Sequence, residues 1–209
     1  MIDTDGSTSF YGGAGEENIT GGSDGDFIDG GDDNDILSGA GGNDTILGGA
    51  GDDVLNGGDN DDNLNGGTGV DEINGGNGND TLTGGEDLDG QTGADILNGG
   101  AGADVFLLSS TGFVQDPAEP VPPPPGDIIN GFESGTDLME LEHAFTSGVF
   151  DFGELVIVYN GEPLATSGTS ATISVWNPGI PGETDNYLEL VATVNSATAF
   201  TLTESDFLA

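Results

Sequence analysis

From Gly12 to Thr83 the chain repeats a nine-residue unit, Gly-Gly-x-Gly-x-Asp-x-(apolar)-x, without a slip. The copies are GGAGEENIT, GGSDGDFID, GGDDNDILS, GAGGNDTIL, GGAGDDVLN, GGDNDDNLN, GGTGVDEIN and GGNGNDTLT. A six-residue fragment, GGEDLD, breaks the phase, and GQTGADILN and GGAGADVFL resume it as far as Leu107. A period this short and this strict points to a solenoid, in which each unit buries its apolar face only by stacking on its neighbours.

Each unit divides into a turn and a strand. Glycines at positions one, two and four free the first six residues to bend tightly, with positive φ where the turn requires it. Asp24, Asp33 and Asn60 replace glycine at position four, and Asp and Asn tolerate such a bend best. The last three residues form a short strand whose middle residue is apolar: Ile19, Ile28, Leu37, Ile46, Leu55, Leu64, Ile73, Leu82, Leu97 and Phe106. Two units make one coil, so successive units alternate between two parallel sheets. The apolar residues then fill a narrow core between the sheets. GGEDLD lacks a strand, so a bulge or phase change is expected near Glu86–Gly90.

Position six carries an acid in every unit: Glu17, Asp26, Asp35, Asp44, Asp53, Asp62, Asp71, Asp80, Asp95 and Asp104, with Asp89 in the broken copy. Calcium takes about 6–8 oxygens from flexible loops that mix carboxylates and carbonyls. A turn offering one carboxylate and a few carbonyls is half such a site, and the turn two units on is the other half. Magnesium holds a stiffer octahedron and fits less well. The spacing rules out an EF-hand, which needs a twelve-residue loop with three alternating acids and a closing Glu.

Composition agrees. The 209 residues hold 39 acids, one histidine, and no lysine or arginine, for a formal charge of −39. Phosphate neutralisation needs basic side chains, so nucleic acid is excluded as a partner, and so is polybasic attachment to lipid. Forty glycines and the repulsion among acids oppose folding. Metal binding and folding are therefore expected to be one event. No cysteine is present for a disulfide or a thiolate site. The N-terminal MIDTDGSTSFYGG lacks the basic and apolar regions of a secretory signal peptide, and no apolar stretch is long enough for a membrane span.

The repeats resemble those of the RTX (hemolysin-type calcium-binding) family, whose fold is the parallel β-roll. The resemblance implies that the position-six acids are calcium ligands. It also implies carbonyl ligands from positions one and three, such as Gly30, Asp32, Gly48 and Ala50. Gly102–Leu108 followed by Asp127-Ile-Ile-Asn-Gly-Phe-Glu-Ser-Gly-Thr-Asp137 is similar to the module after the repeats in serralysin-type proteins, which implicates Asp127 and Asp137 as late calcium ligands. The ending Leu202-Thr-Glu-Ser-Asp-Phe-Leu-Ala209 is similar to family C-termini that act as type I (ABC exporter) secretion signals.

The chain thus reads as an all-β protein: a parallel β-roll, that is, a calcium-stapled β-solenoid, followed by a small β-rich C-terminal cap. Residues 1–11 are a lead-in, 12–107 the roll, 108–126 a Pro-rich loop, and 127–209 the cap with the secretion signal. Strands are expected at Leu155–Tyr159, Ala171–Trp176, Tyr187–Val191 and Phe200–Leu202. His143 stands alone, and the His-Glu-x-x-His zinc signature is absent, so no enzyme is expected. The favoured function is a secreted calcium-binding structural protein that folds outside the cell, in a matrix, surface layer or self-assembling filament. The alternatives are a secretion and folding module of a larger RTX enzyme or toxin, and a calcium-dependent adhesin or carbohydrate-binding module.

Overall fold

The computed structural model describes residues 6–85, 94–109, 127–132, 136–142, 155–159, 168–177 and 187–200. All its regular elements are strands. They are β1 (Ser9–Ala14), β2 (Asn18–Thr20), β3 (Phe27–Asp32), β4 (Ile36–Gly41), β5 (Thr45–Ala50), β6 (Val54–Asp59), β7 (Asn63–Thr68), β8 (Glu72–Asn77), β9 (Thr81–Thr83), β10 (Ile96–Ala101), β11 (Val105–Ser109), β12 (Asp127–Asn130), β13 (Leu138–Glu142), β14 (Leu155–Tyr159), β15 (Gly168–Asn177) and β16 (Tyr187–Phe200). The odd strands β1 to β13 form one sheet, and the even strands β2 to β12 lie in the other. The chain therefore winds from sheet to sheet with each nonapeptide. This is a parallel β-roll.

The division of the unit differs from the expected six-and-three split. Most strands are six residues long and join positions seven to nine of one unit to positions one to three of the next, as in Phe27–Asp32 and Val54–Asp59. Only positions four to six are left to turn. The pleat explains why. Alternate residues face inward along a strand, so an inward apolar residue at position eight puts position one inward as well.

Register is uniform. Leu37 pairs with Leu55 on the even sheet and Ile46 with Leu64 on the odd sheet, one coil apart. All ten apolar position-eight residues are buried, joined by Phe10, Ile129, Met139 and Val194. Extended strands with one face in the core exclude a register slip, because a one-residue shift would turn every apolar side chain outward.

The broken copy does not change the phase. Ile73 still pairs with Leu97, and Leu82 with Phe106. Gly85 has the positive φ of a position-two residue, 112°. A Cβ on Gly84 would meet Asp95 Oδ2, as at other position-one glycines. Gly84-Gly85 and Asp95 thus take the places of positions one, two and six of a single unit, and 86–93 between them lie outside the described residues. Asp89 falls in 86–93, outside the described residues.

Strand pairing continues beyond the nonapeptides. β12 pairs in parallel with β10, setting Ile129 beside Leu97, and β13 pairs with β11, setting Met139 beside Phe106. The Phe106 and Phe132 rings lie 6.1 Å apart at this end of the core. β16 adds in parallel to β12, and its Val194 enters the core. β15 and β14 then extend the even sheet antiparallel. The strand expected at Leu155–Tyr159 is β14, and Ala171–Trp176 lies within β15. Tyr187–Val191 and Phe200 belong to the one strand β16. Of the expected Pro-rich loop, Leu108 and Ser109 finish β11, and 110–126 fall outside the described residues, as do His143 and 201–209. No helix long and apolar enough to cross a membrane occurs among the described residues.

Candidate metal centre

Position six stands immediately before each strand, so the acids stack in two columns, one along each edge of the roll. Glu17, Asp35, Asp53, Asp71 and Asp95 precede even strands; Asp26, Asp44, Asp62, Asp80 and Asp104 precede odd ones. The nine aspartates among them are buried.

One carboxylate oxygen of each of these nine aspartates serves the backbone. Asp44 Oδ1 accepts from the Asp26 N–H at 2.7 Å, Asp53 Oδ1 from Asp35 at 2.7 Å, Asp62 Oδ1 from Asp44 at 2.8 Å, and Asp80 Oδ1 from Asp62 at 2.9 Å. The chain of bonds passes the lengthened turn unbroken, from Asp71 to Asp95 at 2.8 Å and from Asp80 to Asp104 at 3.0 Å. Each position-six carbonyl accepts from the position-seven N–H of the next coil, as Asp35 does from Val54 at 2.9 Å. The acid is thus a hydrogen-bonding part of the turn before any ion is considered.

The second oxygen faces the cradle opened by position one. Oδ2 of Asp35, Asp44, Asp53, Asp62 and Asp80, and Oε2 of Glu17, are buried and make no hydrogen bond. A Cβ on Gly30 would meet Asp35 Oδ2 and lie 2.7 Å from the Gly48 carbonyl oxygen. One on Gly75 would meet Asp80 Oδ2 and lie 2.6 Å from the Gly99 carbonyl. Position one is therefore glycine for space, while positive φ belongs to positions two and four, such as Gly67 at 113° and Gly69 at 138°. Asp33 and Asn60 adopt the left-handed bend at 74° and 78°, as the sequence leads one to expect. The cradles at Gly30, Gly48, Gly57, Gly66 and Gly75 draw their carboxylate oxygen from one coil and their carbonyl oxygen from the next.

Burying anionic oxygens without a cation is costly. Burial pushes the Asp44 carboxyl up to about 6, against the lowering effect of the Asp26 N–H and with help from the Asp26 charge. Asp53 is likewise pushed up to about 6 and Asp62 to about 7, and Asp80 is raised for the same first reason. The chain has no Lys or Arg to answer these carboxylates.

The remaining sequence-predicted ligands fall as follows. Gly30 and Gly48 present their carbonyls to the cradles. The Asp32 carbonyl already accepts from the Gly15 N–H at 3.2 Å, and Ala50 pairs in register with Asp32. Asp26 differs from the other acids: its Oδ2 accepts from the Gly22 N–H at 2.7 Å, closing a turn in which neither Gly22 nor Asp24 has positive φ. Asp137 extends the second column, accepting from the Asp104 N–H at 3.1 Å. Asp127 extends the first, because Ile96 pairs with Ile128 and so sets Asp95 beside Asp127. The repeat reading passed over position five. Its Asn and Asp side chains bond adjacent turns, and their recurrence at Asn34, Asn43, Asp52, Asp61 and Asn79 is visible once the unwritten positions are aligned.

No three His, Cys, Asp or Glu side chains converge on one point among the described residues. A metal held here must take backbone oxygens beside single carboxylates. An all-oxygen donor set of that kind suits a hard cation such as calcium rather than zinc. Four overlapping matches to the RTX calcium-binding nonapeptide repeat cover residues 11–46, 38–73, 56–89 and 83–109. This segment is an RTX repeat array. Among curated proteins the chain has no significant match. The RTX repeats are calcium-binding units, and the orphaned Oδ2 atoms and glycine cradles of this roll fit that cation.

Proposed function

We propose that this chain is a secreted calcium-binding structural protein whose RTX roll folds on binding calcium outside the cell. The observation that carries the reading is the meeting, in the cradles at Gly30, Gly48, Gly57 and Gly75, of a buried carboxylate oxygen with no hydrogen bond (Asp35, Asp53, Asp62 and Asp80) and a carbonyl oxygen from the adjacent coil. Bound calcium supplies the positive charge that a chain without Lys or Arg cannot supply itself.

The residues that would hold it are Asp35, Asp44, Asp53, Asp62, Asp71, Asp80, Asp95 and Asp104, with position-one carbonyls such as Gly48 and Gly66. Asp127 and Asp137 continue the two columns. Because each cradle spans two coils, ligand binding holds the coils together, and folding and binding are coupled. Calcium is scarce inside cells and abundant outside, which favours export of the unfolded chain. A type I exporter reading the C-terminal segment fits the resemblance of Leu202–Ala209 to family secretion signals. We assign the folded rod to an extracellular matrix, surface layer or filament, with no enzymatic activity.

A circular dichroism titration tests the core of this reading. Strand signal should grow with calcium from a chelated, unfolded chain; strand signal unchanged by excess chelator would overturn it. Electron microscopy at millimolar calcium, with and without chelator, should reveal assemblies only with calcium. Dispersed particles in both would overturn the assembly role and leave calcium binding standing.

A further inference from the structure

Position five of the nonapeptide has no assigned part in calcium binding, yet its side chains form a second set of bonds between coils. On one edge, Asn34 Oδ1 accepts from the Asp52 N–H at 3.0 Å, and Asp52 Oδ1 accepts from the Val70 N–H at 3.0 Å. On the other edge, Asp61 Oδ1 accepts from the Asn79 N–H at 2.8 Å, and Asn79 Oδ1 from the Ala103 N–H at 3.0 Å. The Asn79 side-chain amide also donates to Asp61 Oδ1, at 3.2 Å.

The direction of these bonds is opposite to that of the position-six bonds. Asp53 sends its N–H forward to Asp71 Oδ1 in the next coil at 2.8 Å, whereas Val70 of that next coil sends its N–H back to Asp52. Adjacent residues of one turn are thus tied to the same neighbouring turn in both senses. The same pairing recurs between the turns ending at Asp62 and Asp80, and between those ending at Asp80 and Asp104. Two opposed bonds at consecutive residues fix both the height and the tilt of one turn over the next. That relation decides whether Oδ2 of one coil meets the position-one carbonyl of the following coil.

We propose that Asn34, Asp52, Asp61 and Asn79 are positioning residues for the calcium cradles. They act through an acceptor oxygen, on an amide or a carboxylate alike, that preorganises adjacent turns, and they do not ligate the ion. All four are exposed on the outer side of the turn, whereas the position-six acids are buried. The acceptor is an amide oxygen at Asn34 and Asn79 and a carboxylate oxygen at Asp52 and Asp61, so charge is not what these positions share. Preorganisation of this kind lowers the ordering cost that binding must overcome. The inference rests on the calcium reading above.

The full chain tests it by calcium titration followed by circular dichroism. Asp52→Ala should raise the calcium concentration at mid-transition about two- to fivefold, the effect of one exposed hydrogen bond. Asp52→Asn should restore the wild-type midpoint, because it keeps Oδ1 and discards the charge. Asp61→Ala and Asp61→Asn repeat the test on the opposite edge. If Asp52→Asn is as weak as Asp52→Ala, charge is what matters and the proposal fails. Equal midpoints for Asp52→Ala and wild type overturn it too. A wild-type chain with no calcium response overturns both this inference and the reading beneath it.

Discussion

The roll and the C-terminal strands share a sheet but are built by different rules. From β1 to β11 the strands are short and parallel, the region is rich in glycine, and an acid precedes every strand from β2 onward. β15 and β16 are 10 and 14 residues long, pair antiparallel, and contain a single acid, Glu189, between them. A parallel strand needs a crossover to its neighbour, and in the roll that crossover is one strand of the opposite sheet between two three-residue turns. Such turns force buried carboxylates together, coil above coil. The antiparallel strands need no stacked turns and collect no charge. The lesson is that a short repeat gains its economy by importing a cation, whereas longer strands hold themselves by pairing.

Removal of calcium should break this symmetry most. In chelator, hydrogen exchange followed by mass spectrometry should find the amides of 9–109 unprotected and those of 168–200 still slowed. If both segments lose protection together, the two regions form one cooperative unit and the contrast falls. Next in size is Leu55→Ala in the fully buried column, expected to cost about 2–5 kcal/mol in calcium-loaded protein by denaturant titration. A cost well under that would mean that the ions rather than the core hold the coils.

Asp62→Asn is a subtler change. It keeps the Oδ1 that serves the Asp44 N–H and replaces only the oxygen facing the cradle. The calcium midpoint should rise about tenfold, roughly 1.4 kcal/mol, on the scale of one charge-assisted contact. The same substitution at Asp59, exposed on the outer side of β6, should leave the midpoint within about twofold.

The smallest effect is that of pH. Folding raises Asp44 and Asp53 to about 6 and Asp62 to about 7, from 3.8. Protons therefore favour the metal-free roll. Their contribution is complete below about pH 4 and is lost as pH rises through 6 to 7. In chelator, strand signal should increase from pH 7.5 to pH 4.5, and the calcium midpoint should rise as protons compete. A chelated spectrum flat across that range would remove the buried carboxylates as its cause.

Much of this was legible in the sequence because the repeat carries its own geometry. A period of nine with one apolar residue named the core from Ile19 to Phe106, and the acid at position six named both columns. The six-residue strand was not legible. Glycine at position one reads as a bending residue, whereas here it is extended backbone, kept small by the carboxylate against it. The irregularity expected near Glu86–Gly90 falls in 86–93, outside the described residues; what the sequence did not show is that Gly84-Gly85, which looks like the start of a failed unit, is set against Asp95 as the first two positions of a unit. Position five was hidden because Asn and Asp share an acceptor oxygen but not a charge. The self-closed turn at Asp26 depends on backbone angles that no residue type dictates.

The lengthened turn between Gly85 and Asp95 has a practical side. The strands before and after it keep their partners, so the register of the roll tolerates added residues between Gly85 and Asp95. That makes the turn a natural port for grafting foreign peptides. Under the proposed coupling of folding to calcium, a displayed sequence placed there would sit on a rod that calcium assembles and a chelator dismantles.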